Sequence, residues 1–408
     1  MNCRGCGTSL ALPLIDLGTS PPSNAYVRAD QLEQAEQWVP LKVAVCQQCW
    51  LVQTEDYTRA DSLFDAEYAY FSSFSSTWLA HADRYVAEMV ERFGLTADSR
   101  VVEIAANDGY LLQYVAGRGI PCLGVEPTRS TAQAAREKGL EIRELFFGRH
   151  TAAQLVGEGW SADLMAANNV LAHVPDINDF LGGFATLLKP TGVVTFEFPQ
   201  LLTLMAGQQF DTLYHEHYSY LSLTAVQTLC MRNGLEVFDV SQLSTHGGSL
   251  RVFVQRADGV RRDVQPAVAQ QLHAELVAGV KTPEYYATLA PAAEHIKHEL
   301  LRFLLKAKTD GKRVVGYGAA AKGNTLLNYA GVKPDLLAWV ADANPHKQGK
   351  YLPGSRIPIV SPAQIELEKP DFVLVLPWNL LHEVSQQLDQ VRQWDGRFVI
   401  AVPELTIL

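Results

Sequence analysis

The chain has 408 residues, 48% of them hydrophobic and 19% charged, with a formal net charge of -10. That length and apolar share suit two or three domains with sizeable cores, and an acidic balance without a long Lys/Arg run argues against a broad nucleic-acid-binding face. No apolar run approaches the ~20 residues that span a bilayer, and the opening MNCRGCGTSL lacks the apolar core of a signal peptide. A cytoplasmic protein is therefore expected, with neither nucleic acid nor membrane as partner; the sequence leaves the oligomeric state open, a monomer included.

In chain order the first signal is cysteine. Four of the six cysteines form two CxxC pairs, Cys3/Cys6 and Cys46/Cys49. In a reducing compartment such pairs read as metal knuckles before disulfides. Zn(II) favours four thiolates in a tetrahedron, and each CxxC turn presents two. CRGC runs on into Gly7, CQQC follows the strand-like LKVAV, and LGTSPPSNAYV forms a loop between the pairs, which stand further apart than in a compact zinc ribbon. A structural zinc is expected, because four thiolates leave no open position for catalysis. The alternative is two unlinked thiol pairs. Cys122 and Cys230 sit in apolar surroundings and read as buried thiols. This unit is expected over 1–72.

From about Thr77 helices and strands alternate, which predicts a doubly wound parallel sheet with ligands at the carboxyl ends of its strands. SSTWLAHADRYVAEMVERF has helical spacing; SRVVEIAANDGYLLQYVAGRG reads as strand, tight polar turn and helix; CLGVEPT is a strand ending in an acid. ADLMAANNVLAHVPDI leaves the sheet through Asn168, Asn169 and His173. Glu103 lies in the first strand, Ala105 and Asn107 in the turn, and Gly109 opens the helix; Glu126, followed by Pro127, ends the second strand 17 residues after Gly109. An acid at that place can accept hydrogen bonds from ribose hydroxyls, a logic that serves both NAD and S-adenosylmethionine. The turn EIAANDG lacks the glycine pair that lets a pyrophosphate approach a helix N-terminus, so a ligand without phosphates fits better. Asn107 and Asp108 then face its amino-acid moiety, and Asn168 and Asn169 border the sulfonium side. The plainer alternative is an α/β core with ordinary polar turns. This second unit is expected over 73–245.

The segment YHEHYSYLS, Tyr214 to Ser222, packs two histidines, a glutamate and several hydroxyls into a short span. His215 and His217 could ligate a metal, but no third ligand stands at a recognisable spacing such as HExxH. The remaining readings are an acid–base cluster and a structural polar turn. STHGGSLRVFVQR follows, with His246 and Arg251 placed to meet phosphate, or else simply forming a hairpin. A mostly helical stretch with a break near KTPEYY leads to a second alternation over the expected unit 246–408. There GYGAAAKGN sets backbone amides, Lys322 and Asn324, with Thr325 as a further candidate, at a helix N-terminus, where a diphosphate sits favourably. NAD competes for this turn, because Asp342 ends the next strand at ribose-binding spacing; a vestigial turn without ligand is a third reading.

Taken in order, VVEIAANDGYLL, GVEP, NNVLAHVPD, FEFP and YHEHYSYLS, with the CxxC pairs before them and GYGAAAKGN after, make the chain resemble the sugar C-methyltransferases that act on nucleotide-linked ketosugars. The resemblance covers essentially the whole chain. It implies a zinc-binding N-terminal domain, a central S-adenosylmethionine domain and a C-terminal Rossmann-like domain that helps hold a nucleotide sugar. By motif position His217 is the general base, Glu216 and Tyr214 line the sugar pocket, and His173 reaches the same place from the end of AANNVLAH. Tyr68 and Tyr70 are expected to enter from the segment joining the zinc unit to the sheet, although by themselves they would read as packing residues. The implied reaction is methylation, at C3, of a 4-ketodeoxysugar linked to a nucleotide such as dTDP. The competing enzyme readings are an NAD-dependent oxidoreductase using the C-terminal half and an RNA methyltransferase with a zinc module. The acidic charge and the lack of an aromatic–basic platform count against the latter.

Overall fold

A computed structural model describes residues 1–55, 57 and 71–408. The described residues form three sheets, and the expected α/β architecture with two Rossmann-like halves and a small N-terminal unit is what the chain adopts. Tyr68 and Tyr70 lie outside the described residues.

The N-terminal sheet is built on β1 (Leu12–Ser20), β2 (Val39–Val45) and β3 (Val52–Thr54). VPLKVAV alternates buried and exposed positions along β2, as a strand covered on one face does. The two CxxC turns lie at one end of this sheet: Cys46 and Cys49 make the turn between β2 and β3, and Trp50 N donates to Cys46 O at 2.8 Å. The fourth strand, β9 (Ser219–Tyr220), comes from the YHEHYSYLS segment. It pairs antiparallel with β3, Val52 opposite Tyr220 and Gln53 opposite Ser219.

The central sheet has the order β10-β11-β8-β7-β4-β5-β6. Its parallel part comprises β4 (Val101–Ile104), β5 (Cys122–Val125), β6 (Ile142–Arg143), β7 (Ala162–Asn168) and β8 (Leu188–Pro199). Every residue of β4 is buried, the mark of a strand covered on both faces. The helix before it, α1 (Ser76–Phe93), starts where the Ser75 side chain accepts from Trp78 N and stops at Gly94 in the left-handed region. It buries Trp78, Tyr85 and Met89. The helix expected from DGYLLQYVAG shortens to α2 (Leu112–Ala116) because Asn107 to Leu111 are spent on the turn; α3 (Arg129–Glu137), α4 (Arg149–Gly157), α5 (Ile177–Leu187) and α6 (Leu201–Ala206) follow.

The hairpin β10 (Leu235–Leu243) and β11 (Ser249–Arg256) completes this sheet, β11 running antiparallel between β10 and β8. The boundary expected at 245/246 therefore passes through a hydrogen-bonded hairpin. By sheet membership the central unit continues further. Val268 of α8 (Pro266–Ala278) is buried in the central core, and the Glu275 carboxylate of α8 accepts from Leu223 N and Thr224 N at 2.7 and 2.8 Å. Those amides open α7 (Leu223–Arg232). The helix stops at Gly279, φ 95, and the break near KTPEYY follows, holding the short α9 (Pro283–Tyr286).

The C-terminal sheet has the order β14-β13-β12-β15-β16-β17. Strands β12 (Val314–Tyr317), β13 (Val340–Ala341), β14 (Ile359–Val360), β15 (Phe372–Val375) and β16 (Arg397–Ile400) are parallel, and β17 (Thr406–Ile407) closes the edge antiparallel. Between β12 and β13 lies α11 (Ala321–Ala330), and α10 (Leu289–Thr309) packs on it. The core of this half also takes in β1 and β2 residues such as Leu14 and Leu41, so N-terminal sheet and C-terminal half share one apolar cluster. Among the described residues no helix is long and apolar enough to cross a membrane.

Candidate active site

The four knuckle cysteines converge. Their sulfur atoms all lie within 4.8 Å of one another, with Cys3–Cys49 at 3.5 Å and Cys6–Cys46 at 3.4 Å. A tetrahedral ZnS4 centre with Zn–S of about 2.3 Å has S–S edges of about 3.8 Å, so this donor set fits a structural zinc held by Cys3, Cys6, Cys46 and Cys49. Gln53 supports it from outside, donating from Nε2 to Cys3 Sγ at 3.2 Å.

At the carboxyl end of β4 the chain turns sharply. Ala105 (φ 57) and Asn107 (φ 49) take the left-handed conformation that costs a side-chain-bearing residue energy, and Gly109 (φ 75) takes it freely. A Cβ at Gly109 would come within 2.2 Å of Leu140 Cδ1, so the end of the Leu140 side chain would have to shift to admit one. Glu126, at the end of β5 and followed by half-buried Pro127, braces the turn: its carboxylate accepts from Asn107 N and Thr128 N, each at 2.9 Å. Each of its oxygens keeps a lone pair for a ligand hydroxyl.

Around this turn Asn169 Oδ1 and Asp108 Oδ1 are buried without a hydrogen-bond partner, and the buried Tyr110 side chain lies against both Glu103 and Asn168. Burial pushes the Glu103 carboxyl well above the usual range. A buried unpartnered oxygen is costly unless a ligand meets it, and these polar groups gather at the carboxyl ends of β4, β5 and β7, where parallel α/β sheets place ligands. Asn107 and Asp108 are partly occupied, however. Asn107 Oδ1 accepts from Ser72 N at 2.9 Å and Asp108 Oδ2 from Ser73 N at 3.2 Å, so the segment before α1 lies against the turn.

The histidine cluster sits where the three units meet. His217 and His173 pack edge to face with ring centroids 4.6 Å apart. His217 Nδ1 lies 3.1 Å from the Thr212 carbonyl and its Nε2 2.8 Å from the Tyr214 hydroxyl. A carbonyl only accepts, so Nδ1 carries the proton and Nε2 is the acceptor nitrogen, receiving the Tyr214 O–H. His173 is fixed in the same tautomer by Nδ1 donating to Glu216 O at 2.8 Å. Burial, the neighbouring His173 and Lys322 push His217 well below the ordinary imidazole value; burial brings His173 down to about 4. Both rings are neutral at pH 7.

Glu216 is 1% exposed. Its Oε1 accepts from Asn24 N and Nδ2 at 3.3 and 3.2 Å, and its Oε2 is unpartnered. His215 points elsewhere: Nε2 donates to the Val39 and Pro40 carbonyls of β2, so it anchors the segment rather than pairing with His217 on a metal. On the far side Thr325 of α11 donates to Leu213 O at 2.9 Å, tying the C-terminal half to the same segment.

Lys322 stands at the start of α11, its ammonium 4.7 Å over the Trp378 ring and donating to Asn379 Oδ1 at 2.7 Å. Trp378 Nε1 donates to Asp211 Oδ2 at 2.8 Å, and burial, moderated by Lys322, raises Asp211 to about 6. Asn324 in the first turn of α11 is 1% exposed with both amide atoms unpartnered. His246 holds a left-handed conformation (φ 55, ψ 23) and meets Trp78 edge-on at 5.1 Å.

Arg251 departs from expectation. Its guanidinium is committed to Glu197 Oε1 at 2.7 Å and Glu88 Oε2 at 2.7 Å and lies 4.7 Å over Tyr85. With His81 Nε2 2.8 Å from Glu197 Oε2, it forms a closed charged network beneath the site rather than a phosphate contact. Asp342 likewise braces its own turn, accepting from Ala319 N and Asn344 N at 2.7 and 2.8 Å, as Glu126 does in the first half.

Sequence reasoning missed Asn24, Asp211, Thr212 and Trp378. Only the polar loop SPPSNAY carried any signal for Asn24, and nothing local marked the others, which reach the site through tertiary packing.

Comparison with known proteins finds the same three kinds of unit in the same order, with the change from the second to the third falling at the β10–β11 hairpin. Family descriptions match a zinc binding domain over residues 3–64, a methyltransferase domain over 78–240 and a C-methyltransferase C-terminal domain over 244–403. The C-methyltransferase NovU of Streptomyces niveus is 34% identical over 406 residues, covering 100% of this chain and 96% of that protein. A ubiquinone biosynthesis O-methyltransferase of Rhodopseudomonas palustris is 30% identical over 98 residues, 24% of this chain and 39% of that protein. The solved structure of magnesium protoporphyrin IX methyltransferase from Synechocystis with bound SAH covers 44% of this chain and 83% of that chain, at 18% identity and a TM-score of 0.36. The match to NovU runs the full length and takes in all three units, and with it the chain belongs to the S-adenosylmethionine-dependent C-methyltransferases.

Proposed function

We propose that the enzyme methylates a carbon next to the ketone of a nucleotide-linked 4-ketodeoxysugar, at C3, with dTDP as the nucleotide. The observation that carries this reading is the His217–Tyr214 pair: a neutral imidazole with its tautomer pinned by a backbone carbonyl and its acceptor nitrogen facing a hydroxyl. The α-proton of a ketone is weakly acidic, so carbon methylation needs a base and a donor for the oxyanion that develops. The Tyr214 hydroxyl turns from His217 Nε2 to the ketone oxygen, and Nε2 takes the C3 proton. S-adenosylmethionine supplies an electrophilic methyl group. With the donor bound, the enolate carbon would take the methyl group from the sulfonium, the C–S bond breaking as the C–C bond forms and the ketone re-forming, and His217 would then pass its proton to solvent.

The other residues fit this chemistry. Glu216 Oε2 and the Asn324 amide are buried acceptors and donors awaiting a partner. Lys322, at the N-terminus of α11, offers positive charge to a diphosphate. An anion there also offsets the repulsion between Lys322 and a protonated His217, so substrate binding raises the basicity of the ring. The test is mass spectrometry of turnovers with a panel of nucleotide 4-ketosugars and S-adenosylmethionine. A gain of one methylene unit on the sugar supports the reading, and methylation of none of the panel refutes it.

A further inference from the structure

The first CxxC turn does more than hold a metal. Arg4 sits inside it, between Cys3 and Cys6. Its Nη2 donates to Thr54 O at 2.7 Å and its Nη1 to Pro175 O at 3.2 Å, and its guanidinium lies 5.2 Å over the Tyr218 ring. Its backbone is fixed as well: Arg4 N donates to Gln53 Oε1 at 2.9 Å, and Arg4 O accepts from Asn178 at 2.9 Å. Thr54 in turn holds the catalytic segment. Its Oγ1 donates to His217 O at 3.1 Å and its N to Tyr218 O at 3.2 Å. Pro175 follows His173 by two residues. One side chain from the zinc knuckle therefore spans both histidine-bearing segments, and β3 delivers Thr54 to the backbone of the base itself.

We infer that Arg4 and Thr54 are positioning residues, through which the zinc unit sets the mutual placement of His217 and His173. A planar guanidinium suits this task because its fixed fork reaches two carbonyls at once, whereas a lysine ammonium is a single point donor. Thr54 is 3% exposed, so removing its hydroxyl leaves no water to replace the bond to His217 O. The inference rests on the proposed role of His217 for its kinetic consequence but not for its structural one, and the test separates the two.

The experiment uses full-length, zinc-loaded Thr54→Val, Thr54→Ser and Arg4→Lys, with histidine imidazoles observed by long-range 1H–15N NMR and metal content measured alongside. The expected result is that T54V and R4K keep their zinc and shift the His217 and His173 ring signals, that T54S restores them, and that the signals of His273 and His382 stay in place. In turnover, kcat falls roughly 10- to 100-fold in T54V with KM for the methyl donor unchanged, and recovers in T54S. Unchanged His217 and His173 signals in T54V and R4K overturn the inference, as does an equal effect of T54S and T54V, or loss of zinc in T54V. Should the rings move while turnover does not, the positioning stands and His217 is not the base.

Discussion

Replacing His217 by asparagine separates the chemical role of the ring from its structural one. Asn places an amide N–H near the position of Nδ1, so the bond to the Thr212 carbonyl survives and the acceptor at Nε2 is deleted. The ring is half-buried and packs against His173 and Tyr214. Losing part of that packing costs about 1 kcal/mol, whereas an alanine would also strand the Thr212 carbonyl at a further cost of about 1–3 kcal/mol. A general base contributes roughly 10²- to 10⁴-fold in rate, so H217N should fold with a small loss in melting temperature and lose kcat by that factor. The assay is solvent deuterium exchange at the sugar carbon next to the ketone, run with S-adenosylhomocysteine in place of the methyl donor, followed by methylation with the donor restored. Both rates should fall together, because they share the proton-removal step. H217N exchanging and methylating within about threefold of the parent enzyme would remove His217 from the mechanism.

Four further outcomes are expected. Cys46→Ser should lose metal and solubility, and a variant with full zinc content by atomic absorption would refute the knuckle. Glu197→Gln breaks a buried pair whose carboxylate holds both Arg251 and His81. It should destabilise by about 3–5 kcal/mol in urea unfolding, and a loss under about 1 kcal/mol would mean the network is not closed. His246 is pushed down to about 4 by burial, so the unfolded chain binds the extra proton between about pH 6.5 and 4 and stability falls as pH drops through that window. Asp211, raised to about 6, works the other way, so the measurement is the difference between parent and His246→Asn, a residue that tolerates the left-handed backbone. The variant's melting temperature should fall less steeply between pH 6.5 and 4, and parallel curves would refute the assignment. Gly109→Ala should weaken S-adenosylmethionine binding and cost about 1–3 kcal/mol of stability, since its φ is positive and its Cβ displaces the end of Leu140; unchanged calorimetric binding and an unchanged urea midpoint would contradict the geometry of the turn.

The alternation of strands and helices, both acid-ended strands and the four thiolates were legible because each is written in local spacing. The YHEHYSYLS segment was legible as an inventory of chemical groups, but its geometry was not. Which nitrogen of His217 bears the proton depends on Thr212, and the partner of Glu216 is Asn24, far away in sequence. Arg251 shows the reverse error. An arginine after a glycine turn reads as a phosphate contact, and only the fold reveals Glu197 and Glu88 waiting for it. The expected boundary at 245/246 follows a change of local pattern, and the pairing of β10 with β11 across it is a tertiary feature that local pattern does not carry.

The late arrival of β9 has a consequence for biosynthesis. The first three strands leave the ribosome with the edge of β3 uncovered, and its partner lies roughly 160 residues downstream. At the usual pace of translation that edge waits about 10 to 30 s, and an open edge is a template for pairing with another nascent chain. Metal captured early by the cysteines would keep the β2–β3 turn folded during the wait, so cells starved of zinc should accumulate this protein as aggregate even before any question of turnover arises.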